Sequence, residues 1–175
     1  MGDISAVEEQ LREMVDRFPD VLEVKAQLIQ YYISRQQLDQ AETFLREISD
    51  PAADDPGFFL DLIRFVGEVR GPDAARAEIE RAIEVNPKPE RFIAMRAMLD
   101  FGAGQQDEAI SALEAIIAQE LPEDDPAALN ARNDVRVMLA RMLATQGNEV
   151  GARRQVETVL SADCLLYTSP SPRDS

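Results

Sequence analysis

Three alanines, Ala41, Ala75 and Ala109, stand 34 residues apart, and each opens a similar segment: Gln40 to Ile48, Ala74 to Ala82 and Glu108 to Ile116. A period in the thirties constrains the fold more than any local pattern, because it makes one helical hairpin the unit of structure. One period earlier the register reaches Val7, followed by Leu11, Met14 and Val15 much as Leu45 and Ile48 follow Ala41. A further copy is anchored on Ala152, with Val156, Val159 and Leu160 behind it, displaced by nine extra residues near Pro122 to Ala131. A single hairpin of this kind cannot bury its own apolar face, so each must stack on the next. An ordinary helical bundle of equal helix lengths is the competing reading.

The small residue, the large apolar residue four positions later and a closing proline resemble the tetratricopeptide repeat. Ala75, Ile79, Ala82 and Pro87 carry the pattern best, and Pro19 closes the preceding partial unit in the same way. Leu28 and Tyr32, Phe59 and Leu62, Ile93 and Ala97, and Leu139 and Leu143 stand at the apolar positions of the first helices, while Gly104 and Gly147 fall at inter-helix turns. Arg96, Pro72 and Ala53 depart from the pattern. The resemblance implies an all-α, right-handed α-solenoid of about four and a half antiparallel hairpins. It divides into a partial repeat over 1–21, repeats over 22–55 and 56–89, a repeat with an insertion over 90–132, and a truncated repeat over 133–163.

Residues 164–175 form a separate segment. The string Cys164-Leu-Leu-Tyr-Thr-Ser-Pro-Ser-Pro-Arg-Asp174 shares no composition with what precedes it and resembles a translated sequencing adapter; a natural Ser/Pro tail is the alternative. It is expected to be unstructured, and the single cysteine goes with it. Both ends of the repeat register read as cut, which would leave Val7, Leu11 and Met14 at one end and Val156, Val159 and Leu160 at the other partly exposed.

Charge narrows the partners. With 18 basic and 33 acidic residues the net charge is −15, which opposes approach to phosphate backbones and anionic lipid. Nucleic acid is therefore not an expected partner, and no stretch is long and apolar enough for a membrane span. The segment reads as cytoplasmic by default, although residues 139–153 resemble segments of long bacterial arrays held at the cell envelope.

Catalysis has little to draw on. The chain has no histidine, no nucleophile elbow and no phosphate-cradling glycine loop, leaving carboxylate chemistry as the enzymatic alternative. Neither a cofactor nor a metal is expected, because the acidic runs at 50–56 and 122–126 lack the alternating ligands and turn glycine of a calcium loop.

The resemblance instead implies a concave groove made by the first helix of each hairpin, where a protein or peptide partner would lie. Carried onto this chain, that face is Gln30, Ile33, Leu60, Arg64, Arg91, Met98, Phe101, Val137 and Arg141. Its arginines suit a carboxylate or an acidic peptide, since a guanidinium grips one through a planar fork. The family's chaperone-tail subclass uses a lysine where this chain has Ala26, Leu60, Ala94 and Val137, so that activity is not implied. Self-association through the apolar ends is the second expectation, and the Tyr31-Tyr32 and Phe58-Phe59 pairs read as one core and one groove or interface residue each rather than as a cofactor box.

Overall fold

The computed structural model describes residues 5–53, 55–120 and 126–167, with side chains as far as residue 161. Among the described residues there are nine helices and no strand. They fall into two compact units, Met1–Pro87 and Lys88–Ser175.

The first unit holds α1 (Ala6–Arg17), α2 (Leu22–Ser34), α3 (Leu38–Ile48), α4 (Gly57–Arg70) and α5 (Pro72–Val85), each packed on the next in sequence. Local chemistry sets several boundaries. Ser5 Oγ accepts a hydrogen bond from the Glu8 amide at 3.3 Å and caps α1. Pro72 opens α5 at the first helical position, where its missing N–H would have found no helical partner, so its departure from the repeat pattern does no harm.

Apolar residues three and four apart place Leu28, Tyr32, Phe59, Leu62, Val66 and Ile79 on inward faces, each under 2% exposed. Tyr32 and Phe59 thus supply the core member of their pairs. Ala41 and Ala75 are buried, and a Cβ added at Gly67 of α4 would stand 3.3 Å from the Ala75 Cβ. Two small residues facing each other bring α4 and α5 unusually close.

Polar groups fix the register of these helices. From α3, Arg46 reaches Glu42 at 3.0 Å and Glu78 of α5 at 2.6 Å; Arg70, at the end of α4, bonds Glu42 at 3.1 Å and Asp39. Arg81 Nη2 stands 3.3 Å from the second Glu78 oxygen without hydrogen-bond geometry, and its guanidinium lies 5.5 Å from the Phe59 ring centroid. Burial works to raise the Glu42 pKa, but the Arg46 and Arg70 guanidiniums outweigh it and hold the carboxyl below its ordinary range. That contribution to stability is present above pH 4.5 and fades as pH falls through the lowered value.

At the α1–α2 contact, the buried carboxylate of Glu8 accepts from the Tyr32 hydroxyl at 3.1 Å and from Arg12 Nε at 3.2 Å. Burial, with the Glu8 hydrogen bond adding to it against the opposing Arg12 charge, pushes the Tyr32 phenol up to about 12. Tyr31 meets the Tyr32 ring edge-on at 5.8 Å and exchanges a hydrogen bond with Ser5. Beyond Glu8 the α1 surface is open: Val7 is 53% exposed and Met14 39%, while Leu11 is half-buried.

The second unit holds α6 (Glu90–Gly102), α7 (Gln106–Ile117), α8 (Pro126–Thr145) and α9 (Glu149–Tyr167). Its core gathers Ala94, Ala97, Ala109, Leu113, Leu139 and Leu143. Here the structure departs from the sequence reading in two places. The division at 132/133 falls inside a continuous helix, because Pro126 starts α8 and the alanine-rich residues after it extend the helix to 20 residues, against 13 in α6. The helix break placed at Cys164 does not occur there, since Cys-Leu-Leu-Tyr contains no breaker and α9 continues to Tyr167. Residues 168–175 of the expected tail, and Pro122–Asp125 of the second acidic run, lie outside the described residues, as does Asp54 of the first. At this end Val156 and Leu160 are exposed and Val159 is half-buried.

One turn design recurs in both units. Gln36, Gly104 and Gly147 have φ of 57°, 93° and 80°, and each lies two residues ahead of a hairpin's second helix. The following amide then bonds back five residues: Gln37 to Tyr32, Gln105 to Asp100 and Asn148 to Leu143, at 2.9, 2.9 and 2.8 Å. This is the closure a left-handed residue gives a helix end, and Gln36 performs it with a side chain that disfavours that conformation.

Two stability predictions follow from these contacts. A methyl at Gly104 would touch nothing within 4 Å, so Gly104→Ala tests backbone conformation alone; urea denaturation is expected to show a loss of about 1 kcal/mol, and Gln36→Gly a change between zero and a gain of about 1 kcal/mol. Equal losses in both variants would disprove the account of the turn. Because the folded Tyr32 phenol titrates near 12 rather than 10.0, its contribution is complete below pH 10 and is lost as pH rises towards 12. Denaturation midpoints measured across pH 8–11 should therefore decline above pH 10, and less steeply in Tyr32→Phe.

Candidate partner-binding surface

In the first unit, the outward faces of α2 and α4 border a recess of about 280 Å³. From α2 come Ala26, Ile29, Gln30 and Ile33, spaced three and four apart on one stripe. The opposite wall is Phe58, Asp61, Arg64, Phe65 and Glu68 of α4, and Leu45 of α3 closes the floor. Three residues assigned to the groove by sequence, Gln30, Ile33 and Arg64, are thus brought together. Phe58 supplies the surface member of its pair.

Leu60 is not among the lining residues and is half-buried. The lining face of α4 runs through 58, 61, 64, 65 and 68, and one residue's step turns a side chain by about 100° around the helix. That same spacing, applied to Gln30 and Arg64, is the signal that would have added Ala26, Asp61 and Glu68. The recess floor is apolar and largely sealed, with Ile29 at 8%, Leu45 at 1% and Phe65 at 8% exposure. At its rim, Arg64 Nη2 is ion-paired with Asp61 at 2.5 Å. Lys25, just outside, lies 5.8 Å over the Phe58 ring.

The other assigned residues belong to the second unit. Arg91 and Arg141 are exposed and Met98 is 53% exposed. Val137 is half-buried, and Phe101 packs against the core of that unit, so its ring serves mainly to close the α6 end of the core. Arg136 was missed by the sequence reading. It is half-buried on α8, and burial together with the nearby positive charge of Arg132 lowers its pKa. Arg132 itself donates to the Gln119 carbonyl. No cluster of three metal-ligating side chains occurs among the described residues, and no helix there is long and apolar enough to cross a membrane.

Comparison with known proteins follows the repeat. The tetratricopeptide repeat family model matches residues 1–58. Curated protein sequences give no match. Among solved structures the chain is similar to MamA, with a TM-score of 0.57 at 15% identity over 96% of this chain and 93% of that one. It is also similar to BtubC (BKLC) from P. vanneervenii, with a TM-score of 0.62 at 19% identity over 99% of this chain and 79% of the other. The match to the tetratricopeptide repeat family model is thus confined to residues 1–58, and the chain has the all-α helical-repeat fold of the solved structures it matches.

Proposed function

We propose that this chain is a protein-interaction scaffold that takes a peptide or protein partner on the α2/α4 face of its first unit. The observation that carries the reading is the recess itself, where Gln30, Ile33 and Arg64 border an apolar floor. Its volume lies just below the roughly 300–1,000 Å³ of small-molecule sites, which suits one or two side chains presented by a larger partner. Ile33 is 36% exposed at the edge of an otherwise buried floor, so an apolar partner residue would remove it from water at little cost in rearrangement.

The surface offers binding groups rather than a reaction centre. Its titratable side chains are Asp61, Arg64 and Glu68, and Asp61 and Arg64 already satisfy each other. In the second unit, Arg91 and Arg141 are exposed cations.

The test is capture with the whole chain as bait, from extract of its source cells, beside two variants. Ile33→Glu with Arg64→Glu is expected to reduce recovery of specific partners by about tenfold or more, as loss of a central contact does. Val85→Glu, at an exposed position of α5 away from the recess, should leave recovery unchanged. Recovery of the same proteins by both variants would remove the α2/α4 face as the partner surface and favour the self-association reading.

A further inference from the structure

The charge of the partner can be read from which rim groups of the recess are already occupied. Four charged side chains stand at or beside it: Lys25, Asp61, Arg64 and Glu68. Arg64 is neutralised by Asp61 at 2.5 Å, and Lys25 lies over the Phe58 ring. Glu68 is exposed and has no hydrogen-bond or ion-pair partner among the described residues.

The helix places Glu68 one turn beyond Arg64, at the Ile33 end of the recess, whereas Lys25 and Phe58 lie at the other end. At the Ile33 end of the recess, an acidic ligand would have to displace Asp61 from Arg64 and would meet Glu68 as a like charge. A cation beside Glu68 displaces nothing. The long-range field agrees, since a chain of net charge −15 attracts basic ligands and repels acidic ones.

We infer that the recess takes a large apolar side chain from a basic peptide segment, with a lysine or arginine beside it paired to Glu68. The inference rests on the α2/α4 face being the partner surface, and it reverses the acidic ligand expected from counting arginines. The apolar side chain supplies most of the contact against Ile29, Ile33 and Phe65, while the Glu68 pair selects the sign of the flanking charge.

Three short peptides test this, identical except that a central leucine is flanked by lysines, glutamates or glutamines. Each is titrated into the ¹⁵N-labelled chain at low salt, following the amides of Gln30, Ile33 and Phe65. The lysine-flanked peptide is expected to bind about two- to fivefold more tightly than the glutamate-flanked one, the size of one exposed ion pair. That preference should shrink in higher salt and disappear in Glu68→Gln. Equal or tighter binding of the glutamate-flanked peptide at the same amides would overturn the inference and leave the partner surface standing. Persistence of the lysine preference in Glu68→Gln would overturn it as well. If none of the three peptides perturbs those amides, the α2/α4 face fails as a partner surface and the inference fails with it.

Discussion

The close approach of α4 and α5 at Gly67 and Ala75 is the contact on which the packing of the first unit depends. Ala41, Ala75 and Ala109 are all buried, and a methyl group at Gly67 would already press on the Ala75 Cβ at 3.3 Å. When two backbones come this near, the larger side chains on either side interdigitate. Leu45, Phe59 and Ile79 are consequently almost wholly removed from water. Each such burial contributes about 1.5–3 kcal/mol. A larger residue at the crossing would separate the helices and loosen every one of those contacts together.

The candidate surface is a by-product of the same packing. Once α2 and α4 have turned their apolar stripes inward, their remaining faces border a recess whose floor is the outer edge of the core. Ile29, Leu45 and Phe65 therefore serve stability and recognition at once, whereas Gln30, Ile33 and Glu68 are free to serve a partner. Away from the recess lining, Asp39, Glu42, Arg46, Arg70 and Glu78 spend their charges on one another. Those groups set register between α3, α4 and α5.

Much of this was legible before the structure. Exact recurrence of alanine identified the hairpin, and glycine at 104 and 147 marked turns that the backbone does make with positive φ. Gln36 was invisible because nothing in a glutamine announces a left-handed conformation; only its register with the two glycines would have betrayed it. The division at 132/133 falls within α8 because the residues from Pro126 onward are helical and leave no trace of a boundary in composition, and Pro126 is as compatible with a helix's first residue as with a loop. Phe101 and Leu60 were assigned to a groove by family analogy; Leu60 stands half-buried, one residue's turn from the lining face of α4, and Phe101 packs against the core of the second unit.

The sequence by itself determined the all-helical architecture, the hairpin period and the buried small residues, because helical propensity and apolar spacing act between residues a few positions apart. Only the tertiary structure decided that Arg46 reaches Glu78 and Arg70 reaches Glu42 across helices, that Glu68 meets no cation from a neighbouring helix, and that Phe101 packs on a core. Those outcomes depend on the rotation of each helix about its axis and on which side chains meet across the space between elements. The first follows from packing whole faces and the second from competition among charges, and neither is a property of any local stretch of chain.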